Sequence, residues 1–187
     1  GNSEIFSAMA KTTKSLSEGE ILELVKTSEM ETSEEEYFEI IGNKTAVLFS
    51  VACEIGAIVG KVDSNKRDSL KRFGYNLGMA FQLQDDVLDY TSYDNVLGKR
   101  AGTDIKEGKV TLPLIQAIMS ADEKQKTSIQ KVLKKSNVSI KDFERIRKII
   151  VEYKGIEYTI DKTRQYTVAA KGCLDVFNAS PYKEALL

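Results

Sequence analysis

The stretch Phe81-Gln82-Leu83-Gln84-Asp85-Asp86-Val87-Leu88-Asp89-Tyr90 holds apolar and acidic residues at helical spacing at the same time. At about 100° per residue, setting Asp85 at zero places Asp89 near about +40°, Gln82 near about +60° and Asp86 near about +100°. Leu70, Phe73, Leu77, Phe81 and Leu88 fall between about -40° and about -120°. The acids therefore form one stripe and the apolar residues another beside it. Two aspartates one turn apart repel by a few tenths of a kcal/mol on an isolated helix, and a cation between them reverses that sign. Aspartate oxygens completed by water are what magnesium accepts. The alternative is a solvated acidic patch, against which the apolar neighbours on both sides weigh. Gly74 and Gly78 lie near about -20° and about +20° on the same wheel, leaving room for a close helix or for an apolar tail.

Helical periodicity continues in both directions. This helix is expected over about residues 65–90. Upstream, one helix is expected from Ser3 to Lys26. A second starts near Thr32 or Ser33 and continues through Phe38, Ile41, Thr45, Leu48, Ala52 and Ile55 towards Gly60, with Glu34, Glu35 and Glu36 in its first turn, where the helix dipole favours acids. Residues 91–110 read as a polar, glycine-bearing loop. Pro113 opens the next helix, where its missing N–H costs nothing. Further helices are expected over 122–135, 139–153 and 155–178, and a short one from Pro181. Only two prolines and twelve glycines in 187 residues agree with an all-α chain. There is no repeat and no linker, so residues 1–187 read as one piece of a single domain.

Composition narrows the chemistry. Lys plus Arg count 27 and Asp plus Glu count 28, which gives no global reason to expect a nucleic-acid partner. No apolar run is expected to reach membrane-spanning length, and the N-terminus does not resemble a signal peptide. The two cysteines, Cys53 and Cys173, form no CxxC pattern, so a reduced, cytoplasmic compartment is expected. Three Asn-x-Ser/Thr tripeptides, at Asn43, Asn137 and Asn178, read as accidents. Histidine is absent. That removes Ser-His-Asp hydrolases and histidine-held metals, so any metal must be hard and held by carboxylates.

The segment after the acid stripe reads Gly98-Lys99-Arg100-Ala101-Gly102-Thr103-Asp104-Ile105-Lys106-Glu107-Gly108-Lys109-Val110-Thr111-Leu112-Pro113-Leu114. Its glycines allow tight turns, and Lys99 and Lys109 are compact cations suited to phosphate oxygens. Arg100 and Lys106 read as solvated. An acid stripe followed at once by a glycine–lysine loop outlines a magnesium–diphosphate site. It is not a P-loop: five residues, not four, separate Gly102 from Gly108, and Val110 stands where Ser or Thr should hold the metal.

FQxxDDxxDY followed by GKxxGxDxxxGKxTLPL resembles the second aspartate-rich motif and following loop of the trans-isoprenyl diphosphate synthases. Glu18-Gly19-Glu20 and Lys44-Thr45-Ala46 match the family pattern at similar separations, and the stretch from Asp85 to Ile115 is most similar to the long-chain, octaprenyl type. The resemblance implies an isoprenoid-synthase-type helical bundle and a magnesium-dependent prenyltransferase that joins an allylic diphosphate to isopentenyl diphosphate. It implies Asp85, Asp86 and Asp89 as the metal motif, with Lys44, Lys99 and Lys109 on the diphosphate. It further implies Thr45 and Gln82 near the reacting carbon, and Asp104 as an acid organising metal-bound water or Lys99. A homodimer is implied as well.

The chain departs from the family in carrying one DDxxD where a catalyst needs two. Residues 1–187 are therefore expected to be the C-terminal part of a synthase, inactive alone. The alternative is a non-catalytic helical subunit that partners a complete synthase. Leu48, Ala52, Ile55, Leu70, Phe73, Leu77 and Phe81 are expected to be uncovered, favouring self-association.

Overall fold

The computed structural model describes residues 2–91 and 102–187, and every regular element among them is helical. In chain order these are α1 (Ser3–Lys26), α2 (Glu34–Ile41), a π-turn (Gly42–Ala46), α3 (Val47–Val59), α4 (Ser64–Thr91), α5 (Thr103–Lys106), α6 (Leu112–Ser120), α7 (Glu123–Leu133), α8 (Ile140–Glu152), α9 (Gly155–Cys173), a 3₁₀ turn (Leu174–Val176) and α10 (Pro181–Leu186). The starts follow local chemistry. Ser33 and Glu36 exchange side-chain to backbone bonds ahead of α2, and Asp122–Gln125 and Ser139–Asp142 form capping boxes on α7 and α8. Pro113 lies in the first turn of α6.

The chain divides into two compact units. One comprises Gly1–Ile21, Glu39–Gln82 and Thr163–Leu187. Phe73, Ala170 and Leu174 are buried together there, with Cys53, Leu70, Cys173 and Phe177 packed around them. The other comprises Leu22–Phe38 and Leu83–Lys162. In it α6 and α7 pack on α8, and Leu83, Tyr90, Ile105, Leu112, Leu114, Ile129, Ile146 and Ile150 are almost fully buried.

Several expectations need correction. The second helix is not a regular α-helix to Gly60: the π-turn interrupts it, closed by the Val47 N–H on the Gly42 carbonyl. Residues 91–110 are not all loop, because Thr103–Lys106 is a helical turn. Phe73 is 2% exposed, since α9 covers it. Leu48, Leu77 and Phe81 are exposed as expected. Of the two readings of Gly74 and Gly78, close helix packing holds. A Cβ on Gly78 would stand 2.6 Å from the Ala46 Cα, and one on Gly74 would collide with the Phe49 carbonyl. Finally, Glu34–Val59 is long and apolar enough, by length and composition, to cross a membrane. Within it, Glu54 is buried and takes charged bonds from Arg67 at 2.9 Å and Lys71 at 3.0 Å.

Candidate active site

The acid stripe divides on folding. Asp86 is 2% exposed and accepts the Tyr37 hydroxyl, whereas Asp85 is exposed and Asp89 half-buried. Asp89 is aimed by backbone. Its Oδ1 accepts the Thr103 N–H at 3.0 Å and its Oδ2 the Asp104 N–H at 3.1 Å, while its carbonyl accepts the Gly102 N–H at 3.0 Å. The last turn of α4 is thus sewn to the segment around α5.

Two glycines make that connection feasible. Gly102 and Gly108 have φ of 78° and 74°, a region where a side chain is strained. A Cβ on Gly102 would also stand 2.5 Å from the Phe143 ring. Phe143 stacks on Tyr90, whose hydroxyl pairs with Thr111 at 3.1 Å and whose carbonyl accepts the Arg147 Nε–H at 2.9 Å. The Gly108 carbonyl accepts the Ser28 N–H at 2.7 Å.

Asp85, Asp89 and Asp104 lie within electrostatic reach of one another, and Asp104 within reach of Lys109. Burial raises the Asp104 carboxyl to about 7, helped by the charges of Asp89 and Asp85 and opposed by Lys109. Burial also raises Asp89, against the two amides and Lys106. Burial pulls Lys109 down, but the Glu107 hydrogen bond and the charges of Glu23, Glu107 and Asp104 outweigh it and keep the ammonium charged. Lys109 pairs with Glu107 at 2.8 Å. Among the described residues, no three acidic or thiol side chains converge into a ready-made metal cage. Asp85 and Asp89 could supply two oxygen ligands, with water and substrate oxygens completing a magnesium shell.

Lys44, Thr45 and Gln82 belong to the other unit. The Thr45 hydroxyl donates to the Gln82 side-chain carbonyl at 2.9 Å, and Lys44 pairs with Glu20 at 3.0 Å. Lys99 and Arg100 lie outside the described residues; Lys106 is exposed. Tyr37, which holds Asp86, was not anticipated from the sequence. No local signal marks it, because its partner lies 49 residues away.

A model of the polyprenyl synthetase family matches residues 1–150. The chain belongs to that family. This polyprenyl synthetase chain is 35% identical over 184 residues to octaprenyl diphosphate synthase of Haemophilus influenzae, covering 98% of the chain and 56% of the relative. It is 32% identical over 162 residues to geranylgeranyl diphosphate synthase of Saccharolobus solfataricus, covering 87% and 48%. Among solved structures, polyprenyl synthase from Caulobacter crescentus complexed with calcium and isoprenyl diphosphate matches with a TM-score of 0.93 at 37% identity, over 99% of this chain and 56% of that one. The chain thus spans about half the length of the relatives it matches.

Proposed function

We propose that this polyprenyl synthetase chain supplies the allylic-diphosphate side of a trans-polyprenyl diphosphate synthase. The observation that carries the reading is Asp89, one turn from Asp85, with both carboxylate oxygens fixed by amides that lead into the Asp104–Lys109 segment. Three acids within electrostatic reach, one of them raised to about 7 by burial and its neighbours, make a surplus of negative charge that a divalent cation would relieve.

Asp85 and Asp89 would hold magnesium, which when bound would offset the charge that grows on the departing diphosphate. Asp86 acts from below, fixing α4 through Tyr37. Lys109, kept charged by its acidic neighbours, takes diphosphate oxygens, as do Lys44 and Lys99. Cations placed before the C–O bond breaks stabilise the transition state more than the ground state. Thr45 and Gln82 present oxygens, already bonded to each other, beside the electron-poor carbon that isopentenyl diphosphate attacks. Asp104 would order Lys99 or water beside the metal site. The enzyme works as a cytoplasmic homodimer; the exposed Phe6, Met9 and Ile21 of α1 support self-association.

The 187-residue chain alone elongates no prenyl diphosphate, because its single aspartate-rich motif can assemble only part of the metal cluster and half of a cooperative site need not give half a rate. Incubation with radiolabelled isopentenyl diphosphate and an allylic primer tests this, with verified intact mass; robust product from the 187-residue chain would refute it. Calorimetric titration with inorganic diphosphate, with and without magnesium, tests the site itself. Binding that requires magnesium and weakens on Asp85→Asn is expected, and magnesium-independent binding would sink the reading.

A further inference from the structure

We propose that Gly19 and Gly78 are positioning residues that grip the π-turn from two helices and so set Lys44 and Thr45. The inference rests on the reading of those two side chains as substrate-side groups. A π-turn carries one more residue than the α-helix it interrupts and is rare unless its surroundings hold it. Here the turn is closed by the Val47 N–H on the Gly42 carbonyl, and both Gly42 and Ala46 are buried.

Each side of the turn meets a glycine. From α1, a Cβ on Gly19 would stand 2.9 Å from both the Asn43 Cβ and the Lys44 backbone nitrogen. From α4, a Cβ on Gly78 would stand 2.6 Å from the Ala46 Cα and 3.2 Å from its Cβ. These neighbours are backbone or atoms fixed to it, so neither can swing aside. Gly42 differs: what it faces is the Tyr75 hydroxyl, the end of a movable side chain.

Each glycine is followed by a polar tether on its own helix. Glu20, next to Gly19, pairs with Lys44 at 3.0 Å. Gln82, one helical turn after Gly78, accepts the Thr45 hydroxyl at 2.9 Å. The two grips have the same form: a residue without a side chain lets the helix touch the turn, and a polar group close by ties down one functional side chain. Consecutive residues Lys44 and Thr45 are thereby tied to different helices, α1 and α4. On a regular helix neighbours also diverge by about 100°, but nothing would hold both at once.

The test is amide hydrogen exchange over residues 43–47, read beside diphosphate binding. In the parent chain these amides should be protected like those of α3; exchange as fast as at a frayed helix end would overturn the proposal without any variant. Gly19→Ala and Gly78→Ala should each speed exchange over 43–47 at least about tenfold, as the loss of a tethering contact of about 1.4 kcal/mol gives. Gly56→Ala on α3, where an added Cβ meets nothing within 4 Å, should leave it unchanged. Lys44→Met should weaken inorganic diphosphate binding about tenfold in the parent, the worth of one charged hydrogen bond, and less than about twofold in the Gly19→Ala background, where Lys44 is already misplaced. Unchanged exchange in both alanine variants would overturn the grip, whatever diphosphate does. An equal Lys44→Met effect in both backgrounds would also overturn it. Failure of the parent to bind diphosphate would instead refute the proposed function, and exchange alone would then judge the grip.

Discussion

Tyr37 donates its hydroxyl to Asp86 Oδ2 across 2.5 Å, tying α2 to α4 between side chains that are 3% and 2% exposed. Burial, followed by the Asp86 charge, pushes the phenol well above its ordinary value, so it remains a donor throughout the working pH range. Tyr37→Phe removes a hydrogen bond to a buried carboxylate and should cost about 1.5–3 kcal/mol of stability. Urea unfolding measures it, and a change within 0.5 kcal/mol, the usual scatter of surface substitutions, would contradict the assigned bond.

Asp85 and Asp89 should part company on mutation. Asp89→Asn loses one of two oriented acceptors for the Thr103 and Asp104 amides and should destabilise the chain by about 1–3 kcal/mol. Asp85→Asn on the exposed side should stay within about 0.5 kcal/mol. Both should weaken magnesium-dependent diphosphate binding at least about tenfold. Calorimetry and urea titration on the same two variants separate the effects.

Asp104 predicts an unusual pH dependence. Its carboxyl is raised from 3.8 to about 7 in the fold, so between those values the folded state binds more protons than the unfolded one. Stability from this group is present below about pH 4 and is lost as pH rises through about 7. Asp104→Asn should reduce that slope to the part carried by Asp89, whose carboxyl is also raised by burial, and added magnesium should flatten it in the parent by compensating the surplus charge. Thermal unfolding from pH 4 to 8 reads both; a slope undiminished in Asp104→Asn would contradict the assignment.

Gly102→Ala should be severe. The left-handed backbone costs a side chain about 1–2 kcal/mol, and the new Cβ would also meet the Phe143 ring at 2.5 Å. A loss of at least about 2 kcal/mol is expected in urea, with diphosphate binding weakened because Asp89 loses its anchors.

That Asp85 and Asp89 lie one turn apart on one helix was legible in the sequence because the stretch keeps a 3.6-residue period, and the helices themselves follow from the same periodicity and from caps such as Ser139–Asp142. The π-turn was not, since a fixed helical period conceals a single inserted residue. The Tyr37–Asp86 bond was not, because a pairing over 49 residues leaves no local pattern. Thr103–Lys106 was hidden between glycines that read as loop, and its amides find their acceptor on Asp89, 14 residues upstream. Phe73 was placed on an open face because nothing near it in sequence announces α9.

The π-turn has a genetic consequence. Losing a single codon between positions 42 and 46 would leave a more regular helix. Val47–Val59 would keep its register, because the lost residue is the one the π-turn absorbs, but the pair at 44 and 45 would no longer be matched to Glu20 and Gln82. A reading frame can therefore drift in residue type here far more easily than in length.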